Sequence, residues 1–120
     1  MKRTYRHLVW DILENIRDAI LFVTEVPPDS FFKDRMRQKA VERCITVIGE
    51  AAKRIPKELQ DRFPDIPWSD MARTRDKVIH HYEGIDLIVL FKIVNESLPP
   101  TEEPLQQMFN ILTTEEEINQ

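Results

Sequence analysis

Glycine is nearly absent from this chain: Gly49 and Gly84 are the only two in 120 residues, against eight prolines. Two isolated glycines exclude a phosphate-cradling glycine-rich loop. With no Asn-Gly or Asp-Gly pair, the commonest hairpin signal is missing as well. A single cysteine, Cys44, excludes an internal disulfide and fits a reducing compartment. No apolar run approaches the ~20 residues that a membrane-spanning helix needs. The start, Met1-Lys2-Arg3-Thr4-Tyr5-Arg6-His7, lacks the apolar stretch of a secretory signal. The expectation is a soluble, cytoplasmic protein without a membrane partner.

The size suits one domain over residues 1–120, with a core that needs no metal or disulfide staple. The net charge of −4 is unevenly spread. Residues 1–32 carry four basic and five acidic side chains, residues 33–92 carry 13 and 10, and residues 93–120 carry none and six. An acidic chain is a poor nonspecific binder of nucleic acid, and a DNA partner is not expected. The basic excess in the middle still allows a local anion-binding cleft. The acidic end reads as a solvated, frayed tail.

What remains is rich in helix formers interrupted by proline. Val9, Ile12, Leu13, Ile16, Ile20 and Val23 predict a first helix from about Thr4 to Thr24, stopped by Pro27-Pro28. A second is predicted from Ser30 or Phe31 to Arg54, with Met36, Ala40, Cys44, Val47, Ile48, Ala51 and Ile55 as its apolar stripe. Gly49 within it points to a close neighbour. A short helix follows Pro56, and a third long one is predicted from Pro67 to Tyr82, with Gly84 as a left-handed terminator. Asp86 is a natural N-cap for a helix running to about Ser97, and Thr101 for a last one after Pro99-Pro100. The fold class is all-α, an antiparallel bundle of four to five helices.

The reactive side chains concentrate between Trp68 and Asp86. On a continuous helix Asp76, His80 and Glu83 share one face, but the spacing of a helical metal site is missing, so Asp76 and Glu83 are better read as orienting His80 and no metal is expected. Cys44 falls on an apolar stripe, where cysteine behaves as a small hydrophobe. Arg75 falls among Met71, Ala72, Val78, Ile79 and Tyr82. A guanidinium there needs either a salt-bridge partner on a neighbouring helix or a cleft in which it can hold a phosphate. His80 stands about 140° around and about 7.5 Å along a straight helix from Arg75. The two can then meet only at a helix edge, at a distortion, or across a symmetric dimer. His7 and His81 read as ordinary surface or boundary residues.

The run Arg75-Asp76-Lys77-Val78-Ile79-His80-His81-Tyr82 resembles the signature of the HEPN superfamily: an arginine, four residues, then a histidine. His80-x-Tyr82 resembles, more narrowly, the HepT-like toxins of toxin–antitoxin pairs. Ile48-Gly49-Glu50-Ala51-Ala52-Lys53-Arg54-Ile55-Pro56, Ile66-Pro67-Trp68 and Gly84-Ile85-Asp86-Leu87 flank it in the family's order. The resemblance implies a HEPN-like homodimer, or a higher assembly, with a metal-independent ribonuclease site at the dimer interface and RNA as substrate. Arg75 and His80 would be catalytic, with Asp76 in support at a position where the family usually has asparagine or another polar residue. It also implies a minimal nucleotidyltransferase antitoxin as partner, which uses ATP to attach AMP to Tyr82; the toxin itself would need no cofactor. The alternative is a noncatalytic HEPN dimer that binds a nucleotide or a protein.

Overall fold

The computed structural model describes residues 4–80 and 84–119. The long first helix, α1 (Arg6–Val23), carries Leu8, Val9, Ile12, Leu13, Ile16, Ala19 and Val23 on its buried side. It packs along α3 (Arg35–Arg54) and α7 (Glu102–Ile118). Between α1 and α3 lies a six-residue helix, α2 (Pro28–Lys33).

The second predicted helix is therefore two. Asp34 ends α2 and caps α3: its Oδ1 accepts from the Arg37 backbone N–H at 3.0 Å and its Oδ2 from Arg37 Nε at 3.1 Å. The Arg37 N–H, chief among these contacts, holds the Asp34 carboxyl below its usual range. The stripe of α3 is also rotated from the predicted one. Cys44, Ile48, Ala51 and Ile55 are buried as expected, but Val41, Ile45 and Ala52 join them, while Met36 in the first turn is 84% exposed. Burial raises the Cys44 thiol to about 11, so it stays protonated at neutral pH and is no nucleophile.

Gly49 marks where α3 meets α5 (Trp68–Val78). A Cβ there would stand 3.4 Å from the Met71 carbonyl oxygen and 3.5 Å from that of Ala72. A methyl group fits at those distances. Gly49→Ala is therefore expected to be neutral or stabilising by up to about 1 kcal/mol through helix propensity. Gly49→Leu should cost ~1–3 kcal/mol by forcing the helices apart. Urea unfolding of the two variants distinguishes contact from mere permissiveness.

A short helix, α4 (Lys57–Arg62), follows Pro56 as expected. The turn into α5 is fixed by the Trp68 indole N–H, which donates to the Phe63 carbonyl at 3.0 Å. The largest departure comes next. Rather than continuing to Tyr82, α5 stops at Val78, and Ile79–His80 (β1) pairs antiparallel with Gly84–Ile85 (β2). The β-branched Val78-Ile79 pair favours extended backbone over further helix. Gly84 does adopt the left-handed conformation, with φ of 84°, but in this hairpin rather than at a helix end.

Asp86 caps α6 (Leu87–Lys92), which widens into a π-helical segment, Ile93–Ser97. The apolar residues Leu90, Val94 and Leu98 explain that widening. At 100° per residue a four-residue spacing drifts around an α-helix, whereas a wider turn keeps all three in the core, where each is at most 3% exposed. Pro99–Thr101 forms a 3₁₀ turn into α7. The acidic end is not a loose tail. Its helix runs to Ile118, Glu115 pairs with Arg62 on α4, and Glu116 pairs with Arg6 at 2.9 Å and accepts from Thr4 at 2.7 Å. The all-α fold is as read from the sequence, with more and shorter helices. None of the helices among the described residues is long and apolar enough to cross a membrane.

Candidate active site at the end of helix α5

Arg75 lies in the last turn of α5, and its carbonyl accepts the Ile79 N–H that closes the helix. Met71 and Val78 on either side of it are buried, whereas Arg75 itself is exposed. The structural salt bridge that the sequence allowed is not formed: Arg75 has no hydrogen bond or ion pair among the described residues. Its neighbours behave differently. Arg73 and Lys77 share one carboxylate, Asp70, at 3.7 and 3.4 Å. Among the described residues, this turn thus leaves the Arg75 guanidinium without a partner and able to take an anion.

His80 sits two residues past the end of α5, on β1, opposite Gly84. The backbone between Arg75 and His80 is thus not a straight helix but changes from helix to strand after Val78. This change removes the helical relationship between Asp76 and His80. Asp76 is exposed and makes no hydrogen bond or ion pair among the described residues, so the expected orienting contact is absent. The carboxylate near the ring is Asp86, whose Oδ2 stands 3.9 Å from His80 Nε2. Both side chains are partly open, at 46% and 37% exposed.

The sequence by itself marks Asp86 only as a helix cap, and Val89 N–H does donate to its Oδ1 at 3.1 Å. Its place beside the ring depends on the pairing of β1 with β2, for which Val78-Ile79 and Gly84-Ile85 are the available signal. Tyr82, His81 and Glu83 lie outside the described residues. Among the described residues no three His, Cys, Asp or Glu side chains gather as they would around a metal ion. The site can therefore offer an exposed imidazole for proton transfer, an exposed guanidinium for a phosphate, and a carboxylate beside the ring.

Comparison with known proteins agrees with the resemblance seen in the sequence. A family model described as "Ribonuclease HepT-like" matches residues 12–108. A protein of Methanocaldococcus jannaschii named "Putative RNase" is 40% identical over 116 residues, covering 97% of this chain and 96% of the relative. A "Probable ribonuclease HepT" of Thermococcus cleftensis is 43% identical over 99 residues, covering 82% of this chain and 90% of the relative. No solved structure matches the chain.

Proposed function

The chain belongs to the HepT-like family, and we propose that it is a metal-independent endoribonuclease acting as the toxin of a toxin–antitoxin pair. The observation that carries the proposal is an exposed Arg75 in the last turn of α5, without a partner among the described residues, with an exposed His80 on the strand that follows. RNA brings its own nucleophile, so such a site needs only to move protons and neutralise phosphate charge.

The 2′-OH attacks the adjacent phosphorus and the P–O5′ bond breaks, leaving a 2′,3′-cyclic phosphate and a 5′-OH. His80 takes the 2′ proton as general base, and the departing 5′ oxygen takes a proton from an acid. In a homodimer the second His80 supplies that acid. Arg75 donates to the non-bridging oxygens as they gain charge.

Regulation follows from position. Tyr82 is two residues from His80 in the chain, and AMP attached to it by a nucleotidyltransferase partner adds bulk and negative charge there. That charge competes with RNA for Arg75.

The test uses protein expressed without the partner and purified in chelator. It should cut an RNA oligonucleotide to cyclic-phosphate ends and leave the matching DNA intact. With the partner and ATP, Tyr82 should gain the mass of one adenylyl group and cleavage should stop. Cleavage of DNA as readily as RNA would sink the 2′-OH mechanism. Binding of RNA without cleavage would leave a noncatalytic module.

A further inference from the structure

We propose that Asp86 is the positioning residue of this site, holding the His80 ring and stabilising its protonated form as RNA is cut. The inference rests on the ribonuclease reading above and adds to it a residue on a different element. The backbone fixes Asp86 from several directions. Its N–H donates to the Val78 carbonyl at 2.6 Å, continuing the hairpin ladder, and its carbonyl accepts from Leu90 N–H at 2.9 Å. Its Oδ1 is committed to Val89 N–H at 3.1 Å as the cap of α6. Oδ2 has one neighbour of opposite potential charge among the described residues, His80 Nε2 at 3.9 Å.

The hairpin register makes this meeting a consequence of the fold. His80 pairs with Gly84, and Val78 is bridged to Asp86 by the ladder hydrogen bond. Residues two apart on a strand share a face, so Asp86 is the diagonal neighbour of His80, within reach of side chains of this length. Directly opposite the histidine, Gly84 contributes no side chain, and among the described residues, its chain neighbours apart, nothing lies within 4 Å of where its Cβ would be. Among the described residues, the ring therefore has a carboxylate at one corner and no side chain opposite it.

At 3.9 Å the contact is an ion pair in waiting rather than a hydrogen bond. It strengthens when the ring gains a proton, which is the state created as His80 accepts the 2′ proton. With Asp86 at Nε2, the opposite ring edge, Nδ1, is left to the substrate.

Asparagine caps helices as well as aspartate does, so Asp86→Asn keeps α6 and removes only the charge. Purified, unmodified protein and its Asp86→Asn, His80→Ala and double variants are compared for RNA cleavage, with circular dichroism as the check on fold. The expected result is a fall in kcat on the order of tenfold or more for Asp86→Asn with KM unchanged, and no further loss when Asp86→Asn is added to His80→Ala. Asp86→Glu, which restores a carboxylate, should recover part of the rate. If His80→Ala is inactive while Asp86→Asn cleaves like the parent, Asp86 is only a cap and the inference is overturned. If His80→Ala itself cleaves like the parent, the ribonuclease assignment of His80 falls, and this inference with it.

Discussion

His80→Ala should lose RNA cleavage by roughly 10²–10⁴-fold, the usual worth of a general acid–base group, with no change in unfolding midpoint. The second half of that expectation comes from exposure: a half-open side chain whose charged neighbour among the described residues is 3.9 Å away contributes little to packing. Arg75→Ala should cost a similar factor, about 10²–10³-fold, by withdrawing the charge that meets the phosphate. Arg75→Lys should restore it only in part, because an ammonium cannot make the paired contacts of a guanidinium. Single-turnover cleavage of a labelled oligonucleotide measures all three, and growth arrest on expression should fall in the same order. If Arg75→Ala and His80→Ala cut RNA as fast as the parent, the end of α5 is not the catalytic site.

Phe31→Ala should be the most damaging substitution away from that site, at about 3–5 kcal/mol. Phe31 is fully buried and is the one buried residue of the six-residue α2. Its ring lies 5.1 Å from that of Phe91 on α6 and 6.2 Å from that of Phe32. Removing it opens a cavity at the joint between α2 and the helix that Asp86 begins. An isolated six-residue helix has no stability of its own, so α2 should come loose as well. Urea unfolding gives the loss directly. A cost below about 1 kcal/mol would mean that the site collapses around the smaller side chain.

The order of helices could be read because apolar spacing and proline stops are local signals. Leu8 to Val23 alternates at helical intervals, and the buried face of α1 follows it. What could not be read was decided by tertiary contacts or by competing local preferences. The break at Asp34 is an N-cap inside a stretch whose apolar spacing looks continuous, and Arg37 supports it by reaching both the Asp34 carboxylate and, at 2.6 Å, the Phe22 carbonyl in the last turn of α1. The acidic end seemed solvated because its partners, Arg6 and Arg62, lie far away in sequence. At the site, Arg75 and His80 were identifiable by residue type and spacing, and their exposure is what such roles require. The pairing of His80 with Asp76 assumed a helix that β-branched residues end early, and Asp86 takes that place in space.

The hairpin changes what the interval between Arg75 and His80 measures. In a helix, one added residue would turn the histidine by about 100°, a little more than a quarter of the way around the axis. In β1, where Ile79 is half-buried and His80 exposed, the count is one of parity. A single residue inserted after Val78 exchanges inside for outside, burying the imidazole and turning an isoleucine to solvent. Two inserted residues restore the facing but move the ring along the strand, away from Asp86. The four-residue interval is thus held by an odd–even rule as much as by reach, and only an even change of length keeps the imidazole on the open face.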